Sequence, residues 1–75
     1  MNNIKDKLKN KVIKEFNQMF FSGKIDILRM LDYKYATDFV CSKELELLDD
    51  KVVEELLISD NSLEKLVELV LEFKN

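Results

Sequence analysis

Proline is absent from this 75-residue chain, and glycine occurs once, at Gly23. Tight turns between strands draw on those two residue types, because proline presets φ and glycine accepts positive φ. A chain with one glycine and no proline has few hairpins to offer, whereas helices joined by short polar breaks need neither residue. Leu, Lys, Glu, Ile, Val and Asp are abundant, and 47% of residues are hydrophobic against 36% charged. That balance is globular rather than disordered. The expectation is an all-α fold, a small bundle of four or five short amphipathic helices in a single domain covering residues 1–75.

Hydrophobic spacing places the helices. Ile4, Leu8, Val12, Phe16, Met19 and Phe20 recur at intervals of three and four, predicting a first helix from about Lys5 to Phe21. Asn2 or Asn3 is its expected N-cap, and Ser22-Gly23 its end. A shorter helix is expected over Ile25–Tyr35, with Ile27, Leu28, Leu31 and Tyr35 on one face and Asp26 in the first turn. Thr37-Asp38 reads as the next N-cap. Two readings stand for residues 43–58. Leu45, Leu48, Val52 and Leu56 form one continuous stripe, whereas Asp49-Asp50 suits a cap for a new helix at Lys51. The break is favoured, because paired aspartates weaken a helix interior and strengthen its N-terminus. Ser59-Asp60-Asn61-Ser62 is a polar break, and Asn61 with Glu64 resembles a capping box before the last helix.

A chain this short needs help with stability, since its core rarely supplies more than about 3–5 kcal/mol. Cys41 is the only cysteine and there is no histidine, so neither an internal disulfide nor the usual zinc sites are available. Association with a protein partner is the aid that remains. The missing histidine also removes Ser–His and Cys–His nucleophilic pairs, and Gly23 alone makes no phosphate-cradling loop. Carboxylates are plentiful, but acid–base work requires a pocket that shifts their pKa values. No catalytic residue, metal ligand or cofactor is expected. Apolar runs stop at three residues, far short of the ~20 that span a bilayer, so a cytoplasmic location is expected. Cys41, within Phe39-Val40-Cys41, reads as a small buried hydrophobe in a reducing compartment.

Charge is divided unevenly, with a net of +4 over residues 1–43 and −7 over residues 44–75. Lys7, Lys11 and Lys14, continued by Gln18, fall on one stripe of the first helix. Such a stripe suits phosphates or an acidic partner, although most lysine faces are simply solvated. A helix-turn-helix drawn from the C-terminal half would present Glu54, Glu55, Glu64, Glu68 and Glu72 to phosphates, and repulsion opposes it. Six of the seven aromatics, Phe16 through Phe39, lie where the first helices should meet. Interleaved lysines would fit single-strand stacking, but a core is the simpler reading.

The leading functional reading is therefore a small helical protein–protein interaction module, a regulator or inhibitor acting on a protein partner of unstated identity. The alternative is a nucleic-acid-associated regulator that uses Lys7, Lys11 and Lys14. The last helix carries apolar residues over an arc of about 200° at roughly 100° per residue. An outer helix needs about half that width. Leu66, Val67, Leu69, Val70, Leu71 and Phe73 are thus expected to form a protein interface, most simply that of a homodimer. The competing explanation is a helix that lies centrally and is covered on both sides by its own bundle.

Overall fold

The computed structural model describes residues 3–74. Helix α1 spans Ile4–Phe21, and the Asn3 side chain caps it by accepting from the Lys5 amide at 2.8 Å. Its far end closes on Gly23 at φ +70°. The Lys24 amide reaches back to the Met19 carbonyl (3.0 Å) and the Gly23 amide to that of Phe20 (3.3 Å). This pair of bonds is the Schellman arrangement, which requires the left-handed conformation that glycine adopts without a Cβ penalty.

Beyond the turn, Asp26 caps a single 3₁₀ turn, Ile27–Arg29, by accepting from the Leu28 amide at 3.0 Å. The turn runs directly into α2, Met30–Val40. Thr37-Asp38 is therefore not a helix start. The Thr37 hydroxyl donates to the Lys34 carbonyl at 2.8 Å, so it is satisfied inside the helix, as threonines in helix interiors often are. Helix α2 also buries a different face from the expected one. Tyr33, Ala36, Phe39 and Val40 point inward, while Ile27, Leu28 and Leu31 stand in solvent.

Cys41 lies one residue past the end of α2 and is exposed, which corrects its reading as a core residue. Phe39 and Val40 supply the apolar surface at that point, and the helix has already ended where Cys41 begins. Ser42 then caps a 3₁₀ segment, Lys43–Leu47, which buries Leu45. The chain breaks at Leu48 (ψ 135°), and Asp49 caps α3, Asp50–Ile58, through its side chain and the Lys51 amide at 3.3 Å. Residues 43–58 thus contain two elements, divided at the paired aspartates.

Helix α4, Ser62–Lys74, packs on α1, α2 and α3. Leu63, Leu66, Val67 and Val70 are completely or almost completely shielded. They join Leu8, Val12, Tyr33, Ala36, Phe39, Val40, Leu45, Leu48, Val53 and Leu56 in one core. Three covering neighbours account for the centre of the wide apolar arc of the last helix, while Leu69 and Leu71 stay half-buried and Phe73 exposed. Cα radius of gyration is 11.7 Å, against about 11 Å for a closed chain of this length, so no described element extends away from the core. No described helix is long and apolar enough to cross a membrane.

Candidate functional site

Helix α1 holds the α3–α4 corner together from outside. Its Lys11 ammonium donates to the Leu57 and Ser59 carbonyls, both at 2.6 Å. These are carbonyls at the C-terminal end of α3, where a cation also meets the negative end of the helix dipole. One turn further along α1, a Glu15 carboxylate oxygen accepts from the Leu63 amide at the start of α4, at 3.0 Å. Fully buried Ser62 donates to the Leu56 carbonyl at 2.6 Å. Asn61 marks the cap position of α4, but its side chain accepts from the Ser59 hydroxyl. The expected capping box does not form, since Glu15 replaces the local cap and Glu64 is engaged elsewhere.

Glu64 pairs with Arg29 at 3.1 Å and accepts a hydrogen bond from the Tyr33 hydroxyl. The Arg29 guanidinium also lies 5.0 Å from the Tyr33 ring centroid, within cation–π range. Burial, and then the hydrogen bond to Glu64, push the Tyr33 phenol above its ordinary pKa of 10.0. A raised folded-state value means that the neutral phenol favours the fold. The contribution is complete below pH 10 and lost as pH rises through the raised value. We expect wild-type stability to fall more steeply than that of Tyr33→Phe above pH 10, in urea titrations followed by circular dichroism. Parallel slopes would show that this hydroxyl does not link folding to pH.

The basic stripe of α1 is interrupted by these arrangements. Lys7 and Lys14 are exposed, but Lys11 between them is bonded to the chain's own backbone and withdrawn from any phosphate. Lys11, Lys14 and Lys24 line an open cleft of about 620 Å³ between α1 and α4 together with Glu15, Asp60 and Glu64. Its mixed charge gives no single-signed field. Lys5, outside the expected stripe, is buried and joins α1 to Glu46, through the carbonyl at 3.2 Å and the carboxylate at 3.4 Å.

The expected C-terminal interface divides. Leu66, Val67 and Val70 are fully enclosed in the chain's own core, so they have no surface left for a partner in this fold. Leu69 and Leu71 are half-buried, and Phe73 is 58% exposed with its ring 6.2 Å from that of Phe39. Leu69 joins Val52 and Leu56 in a groove between α3 and α4 whose rim carries Glu55, Glu68 and Glu72.

The largest apolar exposure lies where α1 hands over to α2. Phe21 is 83% exposed, Ile27 80%, Leu28 89%, Leu31 78% and Phe20 55%. Phe20 meets Phe21 edge-on at 5.7 Å between centroids and stacks beside Phe16 at 6.4 Å. Ile27, Leu28 and Leu31 are neighbours at helical spacing. Five large apolar side chains therefore project within twelve residues, on either side of the Ser22–Asp26 turn. Sequence reasoning assigned them to the core. The available signal was a doubled stripe, since Ile27-Leu28-Leu31 and Tyr33-Ala36-Val40 lie on different faces of the 3₁₀ turn and the helix it runs into. Two apolar faces require two coverings, and the bundle supplies one.

Among the described residues, no three acidic or cysteine side chains converge as a metal site would require. No protein-family model, curated protein or solved structure matches this chain.

Proposed function

We propose that this chain is a non-enzymatic helical protein–protein interaction module, a regulator or inhibitor that works by docking its α1–α2 corner onto protein. The observation that carries this reading is the exposure of Phe20, Phe21, Ile27, Leu28 and Leu31 together. At roughly 150–250 Å² for a whole aromatic side chain and somewhat less for Ile or Leu, their exposed fractions sum to roughly 600–800 Å² over the five side chains. The largest patch on an ordinary monomer is about 300–600 Å². Interfaces are enriched in aromatic residues and depleted of charge at their centre, and this corner has that composition. The sequence contains no histidine to serve as a general base, which favours binding over catalysis. A cytoplasmic setting belongs to the same proposal, because a lone exposed thiol such as Cys41 persists best under reducing conditions.

A photo-crosslinking amino acid placed at Leu28 in the host tests the reading directly, with the exposed Glu54 position of α3 as control. Protein adducts are expected from position 28 and not from position 54. Equal yields from both positions, no adduct at all, or adducts to nucleic acid would overturn it.

A further inference from the structure

We infer that the occupant of the α1–α2 corner is a second copy of this chain, related by a two-fold axis. The inference rests on the reading of that corner as an interaction surface and names its partner. The first argument is area. The five exposed side chains supply apolar area of the order of the roughly 800 Å² that each partner contributes to a standard stable interface, so the corner is large enough for a self-contact.

The second argument is self-complementarity, which a two-fold contact demands because the same surface serves both sides. Ile27, Leu28 and Leu31 form an apolar ridge at the start of α2. Phe21 borders a shallow depression along α1, lined also by Ile13 and Asn17. The ridge and the exposed Phe21 belong to the same corner, so each copy can present both to the other. The intervening turn carries Lys24 and Asp26, exposed and opposite in charge, so each copy can set a cation against the other's anion. A surface built for an acidic or a basic partner would carry one sign.

The third argument is need. A domain with one cysteine and no histidine cannot staple itself with an internal disulfide or a histidine-containing zinc site, and small domains of this kind gain stability by mass action on association. Dimerisation moves the largest exposed apolar surface out of water.

Sedimentation equilibrium of the full chain tests this inference. The wild type is expected at twice the 8.9 kDa chain mass at about 100 μM, with a thermal midpoint that rises with protein concentration. The double substitution Leu28→Asp and Leu31→Asp should weaken association by at least about 30-fold while retaining the helical circular dichroism spectrum, because both positions are exposed. Leu47→Asp, at an exposed position outside the corner, should leave the dimer intact. If the double variant does not fold, dilution of the wild type reads the same contact by amide chemical shifts. Changes concentrated in residues 20–31 support the inference, and changes concentrated in α4 overturn it. A monomeric wild type at that concentration overturns it as well, as does a dimer that survives the double substitution. Crosslinks from position 28 to a foreign protein, with a monomeric wild type, would leave the interaction reading standing and remove only the self-association.

Discussion

Leu66→Ala is expected to cost about 3–4 kcal/mol, which is most of the folding free energy of a chain this size. Leu66 is completely shielded in the core formed where α4 meets α1, α2 and α3. Truncation there removes the transfer free energy of three heavy atoms and leaves a cavity that three surrounding helices cannot all move to fill. Leu69→Ala, three residues on at the half-buried edge of the α3–α4 groove, should cost about 1 kcal/mol, because solvent reaches the site already. Urea denaturation followed at 222 nm compares the two. A large gap, with Leu66→Ala partly unfolded before denaturant is added, is the expected result. Equal costs would mean that α4 is not the central helix. The contrast separates the two explanations of the apolar arc, since an outward interface would make both substitutions mild in the monomer.

Lys11→Met should cost about 2 kcal/mol, whereas Lys7→Met and Lys14→Met should stay within about 0.5 kcal/mol of the wild type. The three lysines share one stripe of one helix, yet only Lys11 reaches across to the end of α3 and satisfies two carbonyls, Leu57 and Ser59. Hydrogen bonds that involve a charged group contribute more than neutral ones. Methionine keeps much of the length and apolar stem of lysine, so the substitution removes the donor with little loss of packing. Midpoints of urea unfolding at constant slope provide the measurement. Should all three variants behave alike, the clasp between α1 and the α3–α4 corner contributes nothing, and the lysines form a solvated face. Glu15→Ala is expected to lose about 1 kcal/mol by the same reasoning, because its carboxylate is the side-chain cap of the Leu63 amide.

Elements that depend on neighbours in the chain are legible in the sequence. Asn3 capping Lys5, Gly23 closing α1, and Asp49 opening α3 all join residues at most five apart. Such bonds need only residue types at a short spacing, so the sequence can announce them. Local signals also mislead where two local solutions compete. Thr37-Asp38 has the composition of a cap, but a threonine hydroxyl is equally satisfied by a carbonyl one turn earlier. Asn61 and Glu64 have the spacing of a capping box, but Arg29 and Tyr33 take the glutamate and Glu15 takes the amide.

By itself the sequence determined the all-α class, the single turn that requires positive φ, the break at the paired aspartates, and which side chains are apolar. It did not determine what covers them. Apolar periodicity reports a stripe that avoids water, and a stripe is satisfied equally by the same chain or by another molecule. On α4 the centre of a wide arc is enclosed by three helices, whereas the second stripe, leading into α2, is left open. Only the tertiary arrangement made that assignment, together with the fate of Lys11 and Lys5, whose partners lie 41 to 48 residues away. The physical reason is range. Caps and turns are decided within one or two helical turns of the chain, while burial and long-range ion contacts depend on how whole helices are brought side by side.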